Sequence, residues 1–172
     1  MAKSAFSNLL RPLFNKFNIP FSSHKTYSET SHISYFSGIK CPSSKDNVIV
    51  VFGGDTVIFD VLNSLQNNYF VSPEHRITLC PIPCGTGNAL ATSLGIKTIP
   101  MGISRTFGLS KPSNERERLP LLKITIREQA KERVIFASVV CSWGLHASLV
   151  ADSNAPEMRR EYGAQRFQVH CF

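Results

Sequence analysis

Val48-Ile49-Val50-Val51-Phe52-Gly53-Gly54-Asp55-Thr56 is the stretch on which the fold turns. Its first five residues form an unbroken apolar run rich in β-branched side chains, the composition of a parallel strand covered on both faces. Two glycines, an acid and a hydroxyl follow at once. Val57, Ile58, Val61, Leu62 and Leu65 then recur at helical spacing, which predicts a helix running to about Asn67. A strand, a glycine turn and a helix make the first half of a βαβ unit.

The same order repeats downstream. Ile77 to Ile82 is a second apolar strand, Pro83-Cys84-Gly85-Thr86-Gly87-Asn88 a second glycine turn, and Ala89 to Leu94 a second helix, with Gly95 suited to its C′ position. The expected fold class is α/β: an open, mostly parallel sheet with a glycine loop at the carboxyl end of two strands. That edge of an open α/β sheet is where ligands bind.

Upstream, Phe6, Leu9, Leu10, Leu13, Phe14 and Phe17 carry a helical stripe, and Pro12 places the regular start near Arg11. Ile19 to Lys25 reads as a short strand, Thr26 to Thr30 as a loop, Ser31 to Ile39 as a helix and Cys41 to Asn47 as a turn. Downstream, Leu122, Ile124 and Ile126 alternate with Lys123, Thr125 and Arg127, a half-solvated strand. Val134 to Cys141 is another, and the charged turn Glu128 to Arg133 makes an antiparallel hairpin of the two. The texture therefore passes from α/β to β near residue 118.

The chain has 172 residues, 42% of them hydrophobic, enough for one domain with a core and part of another. Nineteen Lys and Arg against twelve Asp and Glu give a net charge of +7, which favours polyanionic partners. The basic residues are scattered, and Lys111 to Arg118 also holds Glu115 and Glu117, so that stretch reads as a solvated loop. Without a recognition motif, nucleic acid is not an expected partner. No apolar run approaches the roughly 20 residues that span a bilayer, and Met1 to Ser7 lacks the apolar core of a signal peptide. The expected location is cytoplasmic, and scattered Lys and Arg give only weak, transient adsorption at membrane surfaces. Five cysteines with no C-x-x-C pair read as reduced structural thiols. The five histidines show no metal spacing.

Glycine turns between strand and helix suit phosphate, because the backbone comes close and helix N–H groups point at the ligand. Gly85-Thr86-Gly87-Asn88 offers two glycines, a hydroxyl and an Asn able to cap the helix. Asp55 has two local readings: a carboxylate that holds Mg²⁺ or takes a proton from a hydroxyl, and an N-cap of the helix that follows it. The nucleophile-elbow, zinc-protease, Walker and dinucleotide glycine patterns are all missing.

Four strings in order carry a resemblance. VIVVFGGDTVIFDVLNSL resembles the GGDGT segment of the diacylglycerol-kinase catalytic domain. IPCGTGNALATSLGI is similar to its second glycine loop, in the form seen in sphingosine and long-chain-base kinases, closest to the fungal group. SWGLHASLVADSNAPEMRREYGAQRF resembles the start of their β-sandwich domain, and RPLFNKFNIPFSSHKTYSETSH their early helix, strand and loop. NAD kinases also carry a G-G-D-G motif, but the G-T-G-N loop and the R-x-Y-G-x-x-R-F run speak for the lipid enzymes.

The resemblance implies transfer of the γ-phosphoryl group of ATP, with Mg²⁺, to a lipid hydroxyl of a sphingoid base or diacylglycerol. It assigns Asp55 to catalysis, as base or through metal. It assigns Gly53, Gly54, Thr56, Gly85, Thr86, Gly87, Asn88, Thr26, Arg159, Arg160 and Arg166 to the nucleotide, and Asp152 to the polar head of the substrate. It names no metal ligand set. It divides the chain into a nucleotide-binding α/β domain over 1–118, lacking the family's first strand, and the beginning of a lipid-binding β-sandwich over 119–172. The motif here is G-G-D-T, one glycine short of the family's, which places Thr56 in the glycine slot and turns the following helix by about 100°. A catalytically inactive remnant that binds nucleotide, lipid or an intact relative is the alternative expectation.

Overall fold

The structure, a computed structural model, describes residues 1–27, 31–38, 46–65, 76–108, 117–129 and 131–169. The chain divides into two compact units, Met1–Val139 and Val140–Phe172.

The first unit is built on two parallel strands, β1 (Asp46–Gly53) and β2 (Arg76–Pro83), in register from Asp46↔Arg76 to Gly53↔Pro83. Alternate residues of a strand face opposite sides, and here the two sides bury separate clusters. Ile49, Val51, Ile77 and Leu79 pack with Phe36, Ile58, Val61, Leu62 and Leu65. Val50, Phe52 and Ile82 pack on the other side with Leu10, Phe14 and Ile103. The first cluster is supplied by α3 (Ser31–Gly38) and α4 (Asp55–Leu65), the second by the N-terminal helix and α6 (Ile99–Thr106). Helices thus cover both faces of the pair, which is why the strands read as continuous apolar runs rather than alternating ones.

The N-terminal helix starts earlier than the stripe suggests. It runs as α1 (Ala2–Ala5), a π-helical turn (Phe6–Leu10) and α2 (Arg11–Lys16). Pro12 has no N–H and its ring crowds the preceding turn. A single π turn widens the helix there and lets it continue. Ile19 to Lys25 forms no strand, and Phe21 instead packs its ring against Phe6 and Phe14. Thr98 caps α6, its hydroxyl accepting from the Met101 N–H. α5 (Ala89–Ser93) ends at Gly95, whose φ of +72° is the left-handed geometry a helix stop requires.

β3 (Leu122–Glu128) and β4 (Lys131–Ala137) form an antiparallel hairpin as expected, but with a tighter turn: Glu128 and Lys131 to Arg133 belong to the paired strands, and Ser138 to Cys141 do not. Asn63 pins it to α4. Its amide donates to the Phe136 carbonyl and accepts from the Phe136 N–H, both at 2.8 Å, so a side chain stands where a strand neighbour would.

The second unit contains α7 (Leu145–Ser153), α8 (Pro156–Tyr162), a 3₁₀ turn (Gly163–Gln165) and α9 (Arg166–Val169). Gly144 and Gly163 take positive φ at the entry to α7 and the exit of α8. Among the described residues no helix is long and apolar enough to cross a membrane. The expected continuation of α4 to Asn67, the end of the third helix at Ile39, the turn from Cys41, and the solvated loop at 111–116 lie outside the described residues.

Candidate functional site

The ends of β1 and β2 lie side by side, so the two glycine loops that leave them meet. The Cys84 N–H donates to the Gly53 carbonyl at 3.2 Å, and the Asp55 N–H to the Gly87 carbonyl at 3.2 Å. A Cβ at Gly85 would lie 2.5 Å from the Gly54 Cα and 2.6 Å from its nitrogen, and a Cβ at Gly54 would strike the Gly87 carbonyl oxygen. Both neighbours are backbone. The close approach of the two loops therefore requires glycine at 54 and 85.

Asp55 is the first residue of α4, yet its side chain serves another helix. Oδ2 accepts from the Ala89 N–H at 2.8 Å and Oδ1 from the Leu90 N–H at 3.0 Å. These are two of the amides that an α-helix leaves without internal partners at its start. Charge-assisted bonds of this kind are stronger than neutral ones. The local reading of Asp55 as the cap of its own following helix is thereby corrected: it caps α5, 34 and 35 residues on.

Asn88, the residue expected to cap α5, does something else. It occupies the N-cap position without a side-chain cap bond. Its Oδ1 accepts from the Gly85 N–H at 3.1 Å and its Nδ2 donates to the Gly85 carbonyl at 2.7 Å. The amide braces the turn from within and leaves the helix amides to Asp55. Gly85, Thr86 and Gly87 are exposed on this loop, as is Thr56 on the first. The shortened G-G-D-T motif is accommodated locally: Ile58, Val61, Leu62 and Leu65 are all buried on α4.

Cys84 opens the second loop. Burial pushes its thiol pKa up, with a nearby positive terminus pulling weakly the other way. It is a packed neutral thiol, not an activated nucleophile.

Thr26 lies exposed on the irregular stretch before α3, next to Tyr27, whose N–H donates to the Ser31 hydroxyl. In the second unit the structure gathers two of the predicted arginines around Asn154. Arg159 and Arg166 both donate to its Oδ1, at 3.2 and 3.3 Å. Arg166 also donates to the Gly163 carbonyl and lies over the Phe167 ring at 4.3 Å. Its Nε is buried with no hydrogen-bond partner among the described residues. Arg160 and Asp152 are exposed on α8 and α7. Asn154 was not singled out by sequence, and no spacing marks it; only the fold shows that it gathers these arginines.

A cleft of about 310 Å³ opens elsewhere in the first unit, lined by Ile33, Phe59, Asp60, Ser64 and Arg133 among others. It lies along the later turns of α4 and contains neither glycine loop. The joined loops are the better candidate, because backbone geometry and an acid converge there. Among the described residues no group of three or more His, Cys, Asp or Glu could hold a metal ion.

The family model for the diacylglycerol kinase catalytic domain matches residues 1–113. A protein of Arabidopsis thaliana named sphingosine kinase 1 is 24% identical over 177 residues, covering 98% of this chain and 33% of that protein. The chain thus spans about a third of the length of the curated relative it matches.

Proposed function

The chain belongs to the diacylglycerol kinase catalytic domain family, and from that premise we propose that it carries the nucleotide-handling part of an ATP-dependent lipid kinase. The reaction is transfer of the γ-phosphoryl group to a lipid hydroxyl. A sphingoid long-chain base is the first candidate, because the relative named sphingosine kinase 1 aligns with nearly the whole chain; diacylglycerol is the second. The observation that carries the reading is the union of the two glycine loops, with Asp55 at their junction.

Phosphoryl transfer asks a protein mainly for positioning and charge neutralisation. The exposed turn Gly85-Thr86-Gly87, braced by Asn88, and the neighbouring Gly53, Gly54 and Thr56 form the proposed phosphate cradle. Thr26 is assigned to the nucleotide in the same proposal. Within the second unit, Arg159, Arg160 and Arg166 are assigned in this proposal to an anionic group, a reading supported by the buried, unpartnered Nε of Arg166. Asp152 is assigned to the polar head of the lipid. Mg²⁺ is commonly held by one or two carboxylates plus substrate phosphates. Asp55 is the carboxylate at the loop junction, and because both its oxygens already accept backbone N–H groups, the ion would be held mainly by the nucleotide phosphates. Bound there, the ion would neutralise charge on the transferring group. Residues 1–118 form the nucleotide-binding part of the proposal and 119–172 the beginning of a lipid-binding β-sandwich. Contact with lipid at a membrane surface belongs to the same proposal.

A second reading has one observation in its favour: both oxygens of Asp55 are already engaged. Under it the chain binds nucleotide, lipid or an intact relative without turnover. One assay separates the two. The full-length protein is given labelled ATP, Mg²⁺ and, in turn, a sphingoid base, ceramide and diacylglycerol. Label in a lipid phosphate supports the kinase. No transfer to any of them, restored by inserting a glycine after Asp55, supports the remnant.

A further inference from the structure

We infer that Asp55 is a positioning residue that holds the second glycine loop against the first, rather than the base of the reaction. The inference rests on the reading above, that the joined loops handle the nucleotide, and it deepens that reading by giving the acid its role.

Three observations carry it. Each oxygen of the carboxylate is taken by a different backbone N–H of α5, at 2.8 and 3.0 Å. The backbone of the same residue is tied to the same loop, through the Asp55 N–H and the Gly87 carbonyl. Asn88, which occupies the cap position of α5, has turned its side chain to Gly85 and makes no cap bond, leaving the helix amides to Asp55. Side chain and backbone of one residue thus make three bonds to one short segment, residues 87 to 90. A group committed in this way holds geometry. A base must instead point at the proton it will take.

In G-G-D-T the helix α4 begins at Asp55 itself. The acid is therefore fixed by helical backbone at the point where the two strand ends converge, and its short side chain reaches the neighbouring helix start.

The test uses the full chain, as wild type, Asp55→Ala and Asp55→Asn. Backbone amide exchange is read by NMR, with the amides of β1 and β2 as internal reference. The expected result is exchange at Ala89 and Leu90 faster by about tenfold or more in Asp55→Ala, roughly 1.4 kcal/mol. Asp55→Asn falls between, because one acceptor oxygen remains. Kinetics of the full-length protein supply the second readout. Loss of positioning raises KM for ATP by about tenfold, with a smaller fall in kcat. Unchanged exchange at both amides in Asp55→Ala overturns the inference. So does a collapse of kcat at constant KM, the mark of a group that acts only in the transition state. Faster exchange with KM and kcat both unchanged reduces Asp55 to a structural cap and overturns it as well. Should Asp55→Ala fail to fold, Asp55→Asn decides. If the wild type binds no ATP, the function proposed above falls, while the exchange comparison still decides the role of Asp55.

Discussion

Asp55 in the first unit and Asn154 in the second each use one short side chain to gather separate pieces of chain. Asp55 takes two backbone amides of α5, and Asn154 takes two guanidinium groups. Their surroundings differ. Behind Asp55 stands a strand pair with an apolar cluster on each face. Around Asn154, in the unit Val140–Phe172, Ser153 alone among the described residues is buried, while Trp143 is 89% and Leu145 77% exposed. The lesson is that a polar clasp sets geometry only as firmly as the packing beneath it. The loops are held by a core and then fastened. The arginine cluster is fastened with little beneath it.

The strongest attack on that contrast is to hollow the core under the loops. Leu65→Ala or Ile82→Ala, both fully buried, removes packing that sustains one face of the sheet. Each is expected to cost about 2–5 kcal/mol, read by chemical denaturation of the chain. Gly85→Ala comes next. The new methyl meets the Gly54 backbone rather than a flexible side chain, so the loops must separate. A loss of about 1–3 kcal/mol is expected from such overpacking, together with weaker ATP binding by calorimetry. A tolerated Gly85→Ala would show that the loops are not in contact.

Smaller effects sharpen the other side. Asn154→Ala is expected to cost about 1 kcal/mol, the usual worth of such hydrogen bonds. It should leave β1 and β2 amide protection intact, and an equal loss of protection in the sheet would erase the distinction between the units. The smallest effect concerns Cys84. Its raised pKa means that the folded protein binds the thiol proton more tightly than the unfolded chain does. Stability therefore falls as pH rises above the ordinary thiol range. Alkylation should be slower at Cys84 than at exposed Cys141, measured by mass spectrometry of a mildly alkaline time course.

Both strands, both glycine turns and the hairpin were legible because each is written in consecutive residues. Val48 to Phe52 is apolar throughout because helices cover both its faces, and Leu122 to Arg127 alternates because its strand is only half covered. What stayed hidden depends on contacts between distant residues. The choice of Asp55 over Asn88 as the cap of α5 follows from two strand ends meeting. The Asn63 clasp on Phe136 spans 73 residues. The π turn was missed for a different reason: Pro12 marks a problem in the helix, and several local solutions exist. Ile19 to Lys25 failed as a strand because its aromatic ring found helix partners instead of a sheet edge.

The central claim is that the joined loops receive a nucleotide, and an NMR titration of the full chain with ATP and Mg²⁺ tests it most directly. The account expects saturable shifts that begin at Gly53 to Thr56 and at Gly85 to Leu90. Shifts confined to the cleft beside Ile33 and Arg133, or no saturable shift at all, would contradict it.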